Sequence, residues 1–112
     1  MENKIDIAKD WLPRYTGMPL DKFGDHILLT NFSDYVENFA NKFKTDIYGQ
    51  KKPMQAATNS DGLTIINYGI GSPNAATIMD LLVACKPSGV LFLGKCGGLK
   101  QRSEIGNFIL PI

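Results

Sequence analysis

The stretch GVLFLGKCGG, residues 89–98, decides the fold class of this chain. Its first half is an uninterrupted apolar run, which is typical of central strands in parallel sheets, and its second half is a glycine-rich turn. A similar junction lies upstream, where the apolar run 63–68 leads into Gly69-Ile70-Gly71 and then into Ser72-Pro73. Ser is a favoured N-cap and Pro a favoured first helical residue, so a helix is predicted there. Strands that end in glycines and lead into helices predict an α/β sheet.

Weaker patterns outside these two junctions complete the layout. Together they predict an α/β fold with a mixed, mostly parallel sheet flanked by helices. The predicted elements are a helix over 4–12 that Pro13 stops, a buried strand at 26–30, a helix capped by Ser33 or Asp34, a β-hairpin around the turn 58–62, and a last strand at 107–112. We expect a single domain over 1–112, with an N-terminal arm at 1–24 and an α/β half-domain at 25–112.

Composition excludes several classes of function. The 112 residues carry a net charge of +1, which leaves no basic surface for nucleic acid and no polybasic patch for a membrane. The sequence shows neither an export signal nor an apolar span, and its two cysteines form no paired pattern, so we expect a cytoplasmic protein with free thiols. With one histidine and no cluster of ligating residues, we expect no metal and no cofactor.

The two glycine junctions are the candidate ligand site. Ligands of open α/β sheets bind beyond the carboxyl ends of the strands, where glycines let them approach backbone amides. Lys95 in the second junction is as compatible with solvent exposure as with ligand contact. Arg14 and Tyr15 suit phosphate recognition, although their spacing alone favours a surface arm.

These segments resemble a known family. The pattern of Gly69-Ile70-Gly71, the turn 94–99 and the strand-like segment 105–110 is similar to the purine nucleoside phosphorylase superfamily. Three shorter segments, RYTG (14–17), LTNF (29–32) and CGGL (96–99), resemble its AMP nucleosidase branch, whose members hydrolyse AMP to adenine and ribose 5-phosphate. The resemblance therefore implies an N-glycosidase acting on a purine nucleotide.

The departures from the phosphorylases carry information about the reaction. The positions that hold orthophosphate there are occupied here by Asn31, Tyr35, Phe92 and Lys95, so both expected arginines are absent. The resemblance thus favours water over orthophosphate as the second reactant. It also places Arg14 beside a ribose 5′ position in a neighbouring subunit, which implies a homo-oligomer with shared sites.

The resemblance covers only the N-terminal half of a catalytic domain. We expect the catalytic residues beyond residue 112 and the 112-residue chain alone to be inactive. The alternatives are another nucleosidase or phosphorylase of the superfamily, and a non-catalytic nucleotide-binding or assembly module. The expected substrate-binding residues are Arg14, Tyr15, Asn31, Gly69, Gly71, Lys95, Cys96 and Gly97.

Overall fold

The computed structural model describes residues 3–110, and they form a four-stranded mixed sheet flanked by helices. The strand order is β2-β3-β1-β4; β1 pairs in parallel with β3 and β4, and β2 pairs antiparallel with β3. The predicted α/β fold with a mostly parallel sheet is confirmed. The elements are α1 (Lys4–Thr16), a 3₁₀ turn (Leu20–Lys22), β1 (His26–Thr30), α2 (Ser33–Phe43), β2 (Gln55–Thr58), β3 (Leu63–Asn67), α3 (Ser72–Leu81), a 3₁₀ turn (Leu82–Ala84) and β4 (Gly89–Phe92).

The three middle residues of strand β1, Ile27–Leu29, are apolar because helices cover both faces of the sheet at this point. Its side chains alternate between the faces: Ile27 and Leu29 pack in the cluster that contains residues of α1 and α3, while Leu28 packs against the cluster formed with α2. Neighbouring β3 repeats the pattern, with Ile66 in the first cluster and Ile65 in the second. The sheet is therefore the middle layer of three.

Helix α1 continues past Pro13, so the prediction that this proline stops the helix is wrong. Proline removes only one backbone donor, and the following turn is fixed by other contacts. Leu12 and Thr16 are fully buried, Thr16 Oγ1 donates to the Leu12 carbonyl at 2.9 Å, and Gly17 caps the helix with φ 70°. Packing of this last turn outweighs the missing hydrogen bond.

The starts of the other two helices also differ from the predicted caps. Helix α2 is preceded by Phe32 and α3 by Gly71, and neither N-cap residue makes a side-chain capping hydrogen bond. Ser33 and Ser72 are instead the first helical residues. Tertiary packing of the apolar faces therefore sets these helix ends more than capping does.

Strand β4 lies at the edge of the described sheet, although its sequence predicted a central strand. It pairs with β1 alone, and the Leu91 and Phe92 side chains are 54% and 56% exposed. The strand predicted at 107–112 is absent from 107–110, which are exposed, and its last two residues lie outside the described part of the chain. An extended segment becomes a strand only when a partner supplies hydrogen bonds, and no described strand pairs with it.

The open edge of β4 predicts that the 112-residue chain self-associates, since an exposed apolar edge strand is a template for pairing. Leu91→Lys should shift the chain towards monomer in size-exclusion chromatography with light scattering, because a charge on the edge opposes pairing. Ile70→Lys, at a position 80% exposed outside any strand, serves as the matched control and should leave the association unchanged. A monomeric unsubstituted chain that unfolds cooperatively would contradict the prediction.

Candidate functional site

Three parallel strands end at one edge of the sheet, and the two glycine junctions lie there on either side of β1. The ladder extends past the strands: Tyr68 N–H donates to the Thr30 carbonyl at 3.1 Å, and Leu93 N–H donates to the Leu29 carbonyl at 2.7 Å. The order β3-β1-β4 therefore places Asn31, the first residue after β1, between the two junctions. Both junctions therefore lie at the same edge of the sheet.

The junction after β3 requires glycines for its backbone conformation. Gly69 and Gly71 have φ of 89° and 100°, a region that residues with a Cβ rarely adopt. A Cβ at Gly69 would also lie 3.0 Å from the Asn74 amide nitrogen. Gly69 N–H donates to Asn67 Oδ1 at 3.1 Å, so the loop is held by its own hydrogen bonds.

The junction after β4 places a cation on an aromatic pair. The Lys95 ammonium lies 4.1 Å from the centroid of the Phe32 ring and 5.3 Å from that of Tyr35. The two rings meet edge to face at 5.5 Å. Ring faces attract cations, so Lys95 is directed to a defined position over the aromatic pair even though the residue is exposed. The sequence did not single out Phe32; continuing the β1–β4 register by three residues would have placed it opposite Lys95.

Asn31 carries an unusual polar atom. Its Oδ1 is buried and receives no hydrogen bond within residues 3–110. Nearby donors are already engaged, because Tyr68 N–H bonds the Thr30 carbonyl and Phe32 N–H bonds Thr30 Oγ1 at 3.2 Å. A buried acceptor without a donor is destabilising. Asn31 is therefore a polar residue at this edge whose side-chain oxygen can still accept a hydrogen bond.

A cavity of about 680 Å³ opens beyond β4, on the side of Lys95. It falls within the range of small-molecule pockets. Of the predicted substrate-binding residues, Lys95, Cys96 and Gly97 line it. Its full lining is Tyr35, residues 92–98 and residues 103–109.

Arg14 and Tyr15 lie at the same edge but at the far side of the sheet. The Tyr15 carbonyl accepts a hydrogen bond from Met54 N–H at 2.9 Å, next to the start of β2. Three inter-strand spacings, about 14 Å, separate β2 from β4, so this chain does not bring Arg14 to Lys95. The Arg14 guanidinium is exposed and forms an ion pair with Asp10 at 3.3 Å.

The two cysteines differ in environment. Cys96 is exposed, whereas Cys85 is half-buried and donates to the Leu82 carbonyl at 3.4 Å. Burial raises the pKa of the Cys85 thiol, and this outweighs the opposing effect of a backbone hydrogen bond. Within residues 3–110, no group of three His, Cys, Asp or Glu side chains is placed to hold a metal ion, and no helix is long and apolar enough to cross a membrane.

The family follows from comparison with known proteins. The model of the phosphorylase superfamily matches residues 25–112. The chain belongs to this superfamily. A solved phosphorylase-superfamily relative, the AMP nucleosidase from Bacteroides thetaiotaomicron VPI-5482, superposes with a TM-score of 0.82 and 52% sequence identity over 87% of this chain. The AMP nucleosidase of Escherichia coli K12 is 27% identical over 96% of this chain.

The match covers only part of each relative. The chain spans 42% of the Bacteroides protein chain and 30% of the Escherichia coli protein. Within this span the superfamily fold is present, including all three strand ends that meet at the candidate site. The comparisons thus bear out the resemblance to the AMP nucleosidase branch.

The thiol environments predict two phases of reaction with a disulfide reagent such as DTNB at pH 8. Cys96 should react fast, and Cys85 slowly, since the thiolate is the reactive form and a raised pKa lowers its population. Cys96→Ser should remove the fast phase and Cys85→Ser the slow one. Raising the pH should accelerate the slow phase. Equal rates for the two thiols would contradict the described burial.

Proposed function

We propose that the protein hydrolyses the N-glycosidic bond of AMP to adenine and ribose 5-phosphate. The observation that carries this is the 52% identity to the Bacteroides AMP nucleosidase across nearly all of the chain. The geometry of the sheet edge supports the proposal. Three strands end there beside the glycine junctions, the Lys95 ammonium lies over the Phe32 ring, and Asn31 Oδ1 is a buried acceptor without a donor among residues 3–110.

Five of the predicted substrate-binding residues have a role at the two glycine junctions in this proposal. Gly69 and Gly71 keep the β3 junction free of side chains, so a ribose or base can approach the backbone. On the other side of β1, Lys95, Cys96 and Gly97 contribute to the cavity wall. The general acid that protonates the leaving adenine is predicted to lie beyond residue 112, and an oxocarbenium-like transition state needs such an acid to release the base.

Water is the second reactant in this proposal. By the resemblance, phosphorylases hold orthophosphate with two arginines at places where this chain has Tyr35 and Phe92. One cation, Lys95, remains near those positions, and its ammonium lies on the ring of Phe32. A phosphate dianion would therefore meet aromatic side chains at the two places where a phosphorylase offers guanidinium groups.

The main experiment measures adenine release from AMP by the full-length protein, with and without orthophosphate. We expect adenine and ribose 5-phosphate in equal amounts, with no requirement for orthophosphate as a reactant. Formation of ribose 1,5-bisphosphate would support the phosphorylase alternative instead. Nucleotide binding without any bond cleavage would support a non-catalytic binding module.

Arg14 is proposed to recognise the 5′-phosphate of AMP bound in a neighbouring subunit, which requires a homo-oligomer. Its position at the carboxyl edge, outside β2, and the exposure of its guanidinium support this role. The carboxylate of Asp10 now lies at the Nε of the guanidinium. In this proposal phosphate replaces it and binds the planar fork through two N–H groups.

Arg14→Ala in the full-length protein should lower kcat/KM for AMP by about one to two orders of magnitude, the usual loss for a charge-assisted contact. Hydrolysis of adenosine should change far less, because adenosine has no phosphate. Arg14→Lys should recover only part of the loss, since an ammonium lacks the planar fork. Lys9→Ala, which removes an exposed charge from the same helix, is the control and should leave both substrates unaffected. Equal losses for AMP and adenosine would show that Arg14 acts through folding or assembly.

A further inference from the structure

Asn31 differs from two other asparagines near the ends of strands. Asn59 Oδ1 accepts hydrogen bonds from the N–H groups of Asp61 and Leu63, both at 3.0 Å, and Asn67 Oδ1 accepts one from Gly69 at 3.1 Å. Those two side chains hold their turns. Asn31 Oδ1 is equally removed from solvent but accepts nothing from residues 3–110, so its carbonyl contributes no hydrogen bond to the stability of this fold.

The missing partner must be a hydrogen-bond donor. The amide oxygen only accepts, and a buried acceptor left without a donor is costly. Water and hydroxyl groups donate hydrogen bonds, whereas the unprotonated oxygens of a phosphate only accept them. The acceptor at the end of β1 therefore favours a small neutral donor over the anionic oxygens of orthophosphate.

The location narrows the choice of donor. Asn31 lies between the glycine junction on its β3 side and the aromatic pair under Lys95 on its β4 side, so it is central to the candidate site. We propose that Asn31 Oδ1 accepts a hydrogen bond from the water that attacks C1′ of the ribose. This inference rests on the proposed hydrolysis of AMP and assigns to that reaction the residue that binds its water.

The step balances without any further reactant. The bond between C1′ and N9 breaks and its electron pair leaves with adenine, while the water oxygen forms a bond to C1′. The water loses one proton and adenine gains one, so AMP and water give adenine and ribose 5-phosphate. Asn31 engages one O–H group of the water and leaves an oxygen lone pair free to face C1′; as a neutral amide it orients the water and does not take its proton.

The test uses three variants of the full-length protein. Asn31→Leu removes the acceptor at similar volume, Asn31→Asp retains an acceptor oxygen, and Asn59→Leu is the matched control at the opposite edge of the sheet. Each is assayed with AMP in aqueous methanol, where attack by methanol gives methyl riboside 5-phosphate and attack by water gives ribose 5-phosphate. The ratio of these products reports which nucleophile the site holds, independently of the total rate.

We expect Asn31→Leu to lower kcat about tenfold or more, to change KM for AMP less than about twofold, and to raise the methanol product at the expense of the water product. These sizes follow from the loss of one oriented hydrogen bond to a reactant. Asn31→Asp should restore the product ratio. The Tm of Asn31→Leu should not fall, since the acceptor it removes is unsatisfied, whereas Asn59→Leu should lower the Tm and leave the product ratio unchanged.

Two results would overturn the inference while leaving the hydrolase intact. An unchanged kcat and product ratio in Asn31→Leu would show that Asn31 holds no reacting water. A rise in KM with an unchanged ratio would assign the acceptor to a ribose hydroxyl. Failure of the unsubstituted protein to release adenine from AMP would instead overturn the proposed function, and the inference with it.

Discussion

The two-sided parallel pairing of β1 is the constraint on which the rest of the structure depends. Its backbone bonds to β3 on one side and to β4 on the other, so the strand lies inside the sheet and its middle residues, Ile27–Leu29, are apolar on both faces. Parallel neighbours need crossover connections, and the connections between these strands carry α2 to one face and α3 to the other. The same pairing brings three carboxyl ends to one edge, which is where the site forms.

The site that results has two unlike sides. Towards β3 it is built from glycines, whose backbone conformation leaves space, and from the start of α3. Towards β4 it is built from a lysine whose ammonium lies over two aromatic rings. Asn31 stands between them with an unsatisfied acceptor.

Much of the fold could be predicted because its signals are local. The apolar run of β1, the Asp61-Gly62 turn of the hairpin and the glycines of both junctions each act within a few residues, and all correspond to what the structure contains. The predictions failed where contacts with distant parts of the chain determine the local structure. Pro13 does not stop α1, because burial of the following turn holds the helix. The apolar run of β4 lies at an edge of the described sheet, where it pairs with β1. Sequence periodicity indicates that a segment is apolar, but it does not indicate which strands pair with it.

The sequence by itself therefore determined the α/β class, the hairpin, the two strand-to-glycine junctions and the resemblance to the superfamily. Only the tertiary structure decided that the Lys95 ammonium lies over the Phe32 ring, that the end of α1 lies beside the start of β2, and that the Asn31 oxygen is buried without a donor among residues 3–110. The reason is physical. Turns and helical or strand periods depend on neighbouring residues, whereas contact between residues some 60 positions apart depends on strand order and register, which arise when the whole sheet packs between its helices.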